Sequence, residues 1–189
     1  GVPVDDVRAS RRIQGLIAMY VGNLETYQGI DLLLDGFSKI SSQMPLDLVL
    51  IGGGEGEINR YQSKARALGI GSRCHFLGPR PVSQLAEYLV QADMLLSPRL
   101  KGINTPMKIF TYLASAKPIL ATDILSHTQV LDQDTSFLVA PDSEAMASGL
   151  LALSTDEGLR KRIGINGQNL ATTRYSYQRF YATVSRLYS

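Results

Sequence analysis

Short apolar runs alternate with segments of helical periodicity along nearly the whole chain, and this alternation limits the fold more than any other feature. The run "LIAMYVG" precedes a segment that places Ile30, Leu33 and Phe37 on one face of a helix. Later runs read "LDLVLI", "CHFLG", "DMLLSP", "KPILATDI" and "SFLVAPD", with a helix predicted over residues 105–116 and mostly helix after residue 143. Because strands buried on both faces read as unbroken apolar runs, the pattern predicts an α/β fold. It is a Rossmann-like, doubly wound parallel sheet of about six strands, with helices on both faces and C-terminal helices packing back.

Length and composition exclude several classes of protein. A chain of 189 residues is most economically one domain, and its net charge of +2 argues against a protein built around nucleic-acid binding. No run of about 18 apolar residues is present, so the sequence predicts no transmembrane helix, and the first residues lack a signal-peptide core. Cys74 is expected to be a buried, inert thiol. With only His75 and His127 beside it, no metal site is expected.

Ligands of doubly wound sheets bind at the carboxyl ends of the strands, where loops lead into helices. Gly22 and Gly29 flank the first of these loops, which either lets an anion approach the backbone or needs glycine for its conformation alone. The loop "IGGGEGE" is neither a GxGxxG fingerprint nor a phosphate loop, although Gly53 and Gly54 would permit close approach of a ligand. Arg80, in "FLGPRPVSQ", is either a surface charge or a group that stacks on a base or pairs with phosphate.

The fourth loop, in "RLKGINTPMKIFTYLASAKPILATDI", carries the clearest signal. Pro106 suits the start of a helix, and Asn104 or Thr105 would cap it. Capping does not explain why Arg99, Lys101 and Lys108 converge on the same helix start, where cations are repelled by the positive end of the dipole. An anion between them would make the arrangement favourable, and a diphosphate fits because it pairs with arginine and with helix N–H groups. The sequence therefore predicts a diphosphate site at this loop.

The order of these motifs resembles a known family. The segments "YVGNLETYQGIDLLLDGF", "LVLIGGGE", "CHFLGPR", "ADMLLSPR", "NTPMKIFTYLASAKPILATD" and "FLVAPD" resemble the C-terminal domain of a retaining GT-B glycosyltransferase of family 4, the glycosyl transferases group 1 type. The resemblance covers nearly the whole chain. It implies a single nucleotide-sugar-binding domain over residues 1–189, a fragment without its N-terminal acceptor domain. Residues 1–14 would be linker-like, and residues 177–189 would form a terminal helix that crosses back to the absent domain.

The resemblance also implies a mechanism. A hexosyl group would move from a UDP-, GDP- or ADP-sugar with retention at the anomeric carbon, without a tightly bound cofactor or a required metal, while cations and helix amides neutralise the departing diphosphate. By position, residues 22–28 and 104–108 would face the diphosphate, and residues 76–80 the base. Arg99 and Lys108 are expected to be catalytic. The expected donor-binding residues are Gly22, Asn23, Leu24, Gln28, Gly53, Gly54, Arg80, Asn104, Thr105, Pro106, Met107 and Thr111.

The chain departs from the family pattern at four of its positions. The family usually has Arg and Lys in the first loop, where this chain has Asn23 and Gln28. Its paired glutamates fall here at Ile103 and Thr111, and Thr111 would hold ribose hydroxyls only weakly. Neutralisation of the diphosphate must then rely on the cations of the fourth loop or on residues outside this chain.

Three functional interpretations follow. The first is the donor-binding half of a transferase of polysaccharide biosynthesis, inactive when isolated. The second is a degenerate GT-B-like interaction module that kept the fold and lost the chemistry. The third, a nucleotide-sugar epimerase, needs acid and base carboxylates, which are sparse here. His127 follows a strand end and either reaches the sugar or is a surface or capping residue.

The partners implied by the first interpretation are a nucleotide-sugar donor and an acceptor sugar or lipid-linked sugar, the latter bound by the missing domain. No nucleic-acid partner is expected. A cytoplasmic location is expected, with peripheral membrane association of the full-length protein left open.

Overall fold

The computed structural model describes residues 3–175, and six strands form one sheet in that part of the chain. The strands are β1 (Leu16–Val21), β2 (Leu46–Ile51), β3 (Cys74–Gly78), β4 (Met94–Ser97), β5 (Ile119–Thr122) and β6 (Phe137–Val139). Their order is β3-β2-β1-β4-β5-β6, and every neighbouring pair is parallel. The predicted doubly wound sheet of six strands is confirmed, in the order of the Rossmann fold.

Helices cover both faces of this sheet. They are α1 (Val7–Ser10), α2 (Ile30–Ile40), α3 (Glu55–Ala67), α4 (Leu85–Leu89), α5 (Met107–Ala114), α6 (Leu125–Thr128), α7 (Ser143–Thr155) and α8 (Glu157–Arg174). Successive strand residues point to opposite faces, so Ala18 and Tyr20 pack with α2, α3 and α7, while Ile17 and Met19 pack with α1, α4 and α5. No helix among residues 3–175 combines the length and the apolar character needed to cross a bilayer.

The strand order fixes where a ligand crevice forms. The chain builds outward from β1 to β3 and then returns to place β4 on the other side of β1. The loops after β1 and β4 therefore diverge toward opposite faces of the sheet, which is the topological switch point where doubly wound sheets bind ligands. These two loops, residues 22–29 and 98–106, are the first and fourth loops of the sequence analysis.

Two helix starts differ from the prediction. The fourth-loop helix begins at Met107 and ends at Ala114, because Pro106 has an extended ψ of 136° and Ala116 has a left-handed φ of 59°. Pro106 itself is the N-cap residue, so the expected cap at Asn104 or Thr105 is wrong. In "SQLAEYLVQA" the sequence predicts a helix with Ser83 as its N-cap, which is also wrong, since a 3-10 turn over Val82–Gln84 leads into α4 at Leu85.

The predicted linker and crossing helix concern the two ends of the chain. From residue 3 onward the N-terminal segment packs on the domain: Val7 and Ile13 are buried, and the Val7 N–H donates to Gln91 Oε1 at 2.9 Å. The predicted crossing helix over residues 177–189 lies outside the described residues. Cys74 is buried as expected, and burial raises the pKa of its thiol to about 12.

Candidate functional site

Backbone contacts at the switch point hold the first, second and fourth loops together. Gly52 has a φ of 115°, and a Cβ atom there would lie 1.9 Å from the carbonyl oxygen of Gly22. Gly29 has a φ of 77°, and a Cβ atom added to it would lie 1.9 Å from the carbonyl oxygen of Pro98. Only glycine allows both the left-handed conformation and the close approach. The Leu100 N–H adds a bond of 2.8 Å to the carbonyl oxygen of Tyr27.

Lys108 lies in the crevice between these loops. Its Nζ atom is buried, has no hydrogen-bond partner, and lies 4.0 Å from the centroid of the Tyr20 ring. A Cβ atom on Gly22 would be 3.3 Å from the same Nζ, so the ammonium lies directly against the first loop. Burial, together with the nearby charge of Arg99, lowers the pKa of Lys108 to about 7. The crevice thus holds a cation with no anion beside it among the described residues.

Two tyrosines fix the position of this cation. The Tyr20 hydroxyl donates to the carbonyl oxygen of Asn23 at 2.6 Å, which holds its ring beneath the first loop. Tyr112 lies one helical turn after Lys108 on α5 and is also buried. Its hydroxyl accepts from the Val21 N–H at 2.9 Å and donates to the Leu96 carbonyl at 3.2 Å. Tyr112 therefore bridges the ends of β1 and β4 and fastens the start of α5 over the switch point.

Arg99, the other residue predicted to be catalytic, is half-buried and braces its own loop. Its Nε donates to the carbonyl oxygen of Lys101 at 2.6 Å, and Nη1 donates to that of Asn104 at 3.3 Å. The guanidinium also lies over the Tyr27 ring, with Cζ 5.4 Å from the centroid. The charge of Arg99 lowers the pKa of Lys108, while its Nε and Nη1 donors hold the loop in shape.

The N-terminus of α5 adds a fixed positive potential to the site. No side chain of residues 3–175 caps α5 at Pro106. The Thr105 hydroxyl, expected to act as a cap, donates instead to Gln129 Oε1 at 3.2 Å. Gln129 Nε2 donates in turn to the carbonyl oxygen of Ile103 at 3.0 Å and ties this loop to α6. A helix N-terminus without a side-chain cap, next to a buried ammonium, suits an anionic group such as a phosphate.

The first loop contributes no positive charge of its own. Asn23 is exposed, and its Oδ1 accepts from the Glu25 N–H at 3.2 Å. Leu24 is buried in the core, and its side chain packs against Gly53. Gln28 is buried, and its Oε1 atom has no hydrogen-bond partner. Because the first loop carries no cation, the predicted reliance on the cations of the fourth loop remains our interpretation.

Some of the remaining predicted donor-binding residues act through backbone groups or bond within their own loop, and others are exposed at the surface. The N–H of Gly54 donates to the Glu57 carboxylate at 2.9 Å at the start of α3. Arg80 turns back on its own loop, with Nη1 2.5 Å from the Leu77 carbonyl oxygen and Nε 3.0 Å from the Tyr88 hydroxyl. Asn104, Met107 and Thr111 are exposed along the fourth loop and α5, as is Ile103.

The position of His127 differs from both alternatives that the sequence left open. Its side chain is fully buried and both ring nitrogens have partners, so it neither reaches a sugar nor lies at the surface. Burial lowers the pKa of His127 to about 4. Tyr20 and Tyr112 were not predicted as part of the site. The signal for Tyr20 is a tyrosine near the end of a buried strand, and the signal for Tyr112 is a tyrosine one helical turn after Lys108.

Comparison with protein families places the chain in a known group. The model of the family described as "Glycosyl transferases group 1" matches residues 15–156, which span β1 through α7. Among curated proteins, the chain is 26% identical over 197 residues to a phosphatidyl-myo-inositol mannosyltransferase of Mycobacterium leprae. That match covers 100% of this chain and 51% of the relative. The chain therefore spans about half the length of the curated relatives that it matches.

Solved structures share the fold over nearly the whole chain. Anabaena HepE in complex with UDP-glucose superposes with a TM-score of 0.84 at 19% identity, covering 95% of this chain and 51% of that one. The C-terminal domain of a glycosyl transferase group 1 family protein (LpcC) from Francisella tularensis gives 0.78 at 19% identity, covering 93% and 95%. At these identities the likeness concerns the fold, which is the predicted GT-B half.

Proposed function

Since this chain belongs to the glycosyl transferases group 1 family, we propose that it is the donor-binding half of a retaining glycosyltransferase. It binds a nucleoside-diphosphate sugar at the switch point and stabilises the diphosphate that leaves during hexosyl transfer. The single observation that carries this proposal is the buried Nζ of Lys108, which has no hydrogen-bond partner and faces the first loop.

A buried ammonium without a counter-ion is costly, and that cost suggests a ligand. An unpaired charge in a protein interior is penalised by several kcal/mol unless an opposite charge or hydrogen bonds compensate it. The Tyr20 ring compensates only in part, since a cation–π contact of a desolvated ammonium is worth roughly 2 kcal/mol. A diphosphate between Lys108 and the start of α5 would supply the missing charge and accept from helix N–H groups.

The same arrangement suits the departure of a nucleoside diphosphate. As the bond between the anomeric carbon and the diphosphate oxygen breaks, negative charge develops on that oxygen. Lys108 and the N-terminus of α5 are already in place beside it, so little reorganisation is needed when the charge appears. No metal enters this step, in keeping with the family mechanism that the sequence implied.

The comparisons support the substrate class without naming the base or the sugar of this chain. Anabaena HepE was solved with UDP-glucose, and the Mycobacterium leprae relative is described as a mannosyltransferase. We take the donor of this chain to be a UDP-, GDP- or ADP-hexose, and the acceptor to be a sugar or lipid-linked sugar. We place its work in polysaccharide biosynthesis in the cytoplasm, with the full-length protein associating peripherally with the membrane.

The proposed organisation is that of one domain over residues 1–189 within a longer protein. The LpcC domain from Francisella tularensis, of which 95% is covered, supports the idea that this half is a structural unit. The acceptor site then lies in an N-terminal domain, and residues 1–14 and 177–189 connect the two. A cleft with one wall missing should bind the donor but not transfer the sugar.

A transfer assay separates these parts of the proposal. The 189-residue chain is incubated with each nucleotide sugar and a panel of acceptors, beside a version that is extended at its N-terminus to the full open reading frame. We expect transfer with retained anomeric configuration from the extended protein alone. Transfer by the 189-residue chain alone, or an inverted product, would contradict the proposal.

The second candidate function, a GT-B-like interaction module without transferase activity, is favoured by the first loop. Asn23 is exposed and neutral, Gln28 is buried and neutral, and Thr111 stands where the family has a glutamate. Under this reading, neither the 189-residue chain nor the extended protein would bind a nucleoside diphosphate at millimolar concentration. Saturable binding by either protein would remove this candidate.

A further inference from the structure

A buried histidine outside the proposed diphosphate contacts lies at the centre of a hydrogen-bond network. Nδ1 of His127 is 2.8 Å from the carbonyl oxygen of Thr122, and Nε2 is 2.8 Å from Oγ of Ser97. A carbonyl oxygen only accepts, so Nδ1 carries the proton, and in the neutral ring Nε2 accepts from the Ser97 hydroxyl. This assignment uses every polar atom of the imidazole and joins the ends of β4 and β5.

The network continues into the segment that carries Arg99. The Thr122 hydroxyl donates to the carbonyl oxygen of Arg99. On the opposite side of the same segment, the Leu100 N–H donates to the carbonyl oxygen of Tyr27 at 2.8 Å. Residues 97–100 are therefore held between the β5–α6 corner on one side and the first loop on the other.

The surroundings of His127 favour its neutral form. Burial lowers its pKa, the backbone bond to Thr122 opposes that shift, and the charges of Lys108 and Arg99 lower the pKa further. At pH 7 the imidazole thus joins two strands beside the anion site without adding a third positive charge to it. An asparagine in its place would preserve a donor near the position of Nδ1, whereas an apolar residue would preserve neither bond.

We propose that His127 is a positioning residue for residues 97–100. Its neutral ring fixes Ser97 and Thr122, and through the Thr122 hydroxyl it fixes the backbone of Arg99. Because this segment leads into the loop before α5, the network sets where the uncapped helix start and Lys108 meet the donor. The effect on donor affinity rests on the proposed function, whereas the effect on the segment itself does not.

Hydrogen exchange of the Leu100 amide, measured by NMR on the ligand-free 189-residue chain, tests the positioning role directly. His127→Leu removes both ring bonds, and His127→Asn keeps one donor. Thr122→Val removes the hydroxyl, with its bond to the Arg99 carbonyl and its contact of 3.2 Å with Nδ1 of His127. Thr128→Ala, an exposed position on the same helix, is the matched control. We expect Leu100 to exchange at least tenfold faster in His127→Leu and Thr122→Val, at an intermediate rate in His127→Asn, and at the parent rate in Thr128→Ala. Exchange of the Leu48 amide in β2 should not change.

Calorimetric titration of the same variants with UDP adds the functional readout. We expect the Kd for UDP to rise at least fivefold in Thr122→Val and His127→Leu, with partial recovery in His127→Asn. If His127→Leu fails to fold, the other two variants decide. Unchanged Leu100 exchange in folded Thr122→Val, or a loss of thermal stability with no change in either readout, would overturn the positioning role. Failure of the parent chain to bind UDP, GDP or ADP would instead count against the proposed function, and the Leu100 exchange would still decide the role of His127.

Discussion

The Nζ atom of Lys108 lies 4.0 Å from the centroid of the Tyr20 ring, and no hydrogen-bond acceptor among residues 3–175 reaches it. The two residues come from different layers of the fold, Tyr20 from the end of β1 and Lys108 from the first turn of α5. Their contact crosses the switch point of the sheet. A charge held in this way destabilises the free protein, which is the pattern expected of a residue kept for function rather than for stability.

Replacing Lys108 by methionine should stabilise the chain while abolishing its ligand binding. Methionine fills a similar volume and removes the cost of an unpaired buried charge, which is at least about 1 kcal/mol. For a chain of this size, a gain of about 1 kcal/mol corresponds to a rise in Tm of about 2–4 °C. Thermal unfolding of the parent chain and of Lys108→Met at pH 6 measures this difference in Tm. A variant that is both less stable and unchanged in UDP affinity would show that the Lys108 ammonium has a structural role instead.

The stability of the parent chain should depend on pH through Lys108. Its folded pKa of about 7 is below the ordinary value of 10.5, so between these values the unfolded chain binds more protons than the folded one. Stability contributed by this group therefore rises with pH from about 7 to about 10.5. The free energy of unfolding, measured in urea across this pH range for the parent and for Lys108→Met, isolates the contribution of Lys108. Parallel stability curves for the two proteins would contradict the lowered pKa.

Donor affinity should show the opposite dependence on pH. Above pH 7 the free Lys108 loses its proton, and a bound diphosphate requires that the proton be taken up again. We expect the Kd for UDP-glucose to rise by up to about tenfold per pH unit between pH 7.5 and 9. UDP-glucose is used because its diphosphate is esterified at both ends and does not titrate in this range. A Kd that is independent of pH in the parent chain would rule out a titrating lysine at the site.

Contact between the loops should make Gly52 intolerant of substitution. A methyl group there would lie 1.9 Å from the carbonyl oxygen of Gly22, at a φ of 115°. Gly52→Ala should therefore destabilise the chain by about 1–3 kcal/mol and weaken UDP binding. Gly56 is the matched control, because it lies in α3 with nothing within 4 Å of its added Cβ, and alanine there should stabilise the helix by up to about 1 kcal/mol. Equal effects at both glycines would contradict the close packing of the loops.

The forked, planar shape of the Arg99 guanidinium should contribute to UDP affinity in addition to its charge. Its guanidinium holds the carbonyl oxygens of Lys101 and Asn104, which a lysine cannot do with the same geometry. We expect Arg99→Ala to raise the Kd for UDP about tenfold and Arg99→Lys to restore only part of the affinity. The control is Arg66→Ala, an exposed position near the C-terminus of α3. Full rescue by lysine would mean that Arg99 acts by charge alone.

The sheet was predictable because each strand is encoded by its own neighbours in the sequence. Runs such as "LVLI" in β2 and "MLL" in β4 are apolar without interruption, and parallel pairing on both sides buries them. The start of α5 was less predictable. Proline fixes φ but leaves ψ free, so the sequence could not show that Pro106 takes an extended ψ and that the helix begins at Met107, two residues after its predicted start.

Of the residues at the candidate site, only the cations could be predicted from the sequence. Lys108 was identified from its place beside a helix start, a local property of the sequence. The Tyr20 ring below it, the Tyr112 hydroxyl that joins β1 to β4, and the network of His127 all depend on contacts between distant segments. For the same reason the inward turn of Arg80 onto Tyr88 could not be distinguished from a solvent-exposed charge.

Calorimetric titration of the parent chain and of Lys108→Met with UDP, GDP and ADP, at low salt and without added metal, tests the central claim most directly. We expect saturable binding of at least one of the three nucleotides by the parent chain. We also expect a loss of at least tenfold in affinity for Lys108→Met, which remains folded. Equal affinities in the two proteins would contradict the assignment of Lys108 to the diphosphate. Binding of none of the three by either the parent chain or the extended protein would contradict a donor site in this domain.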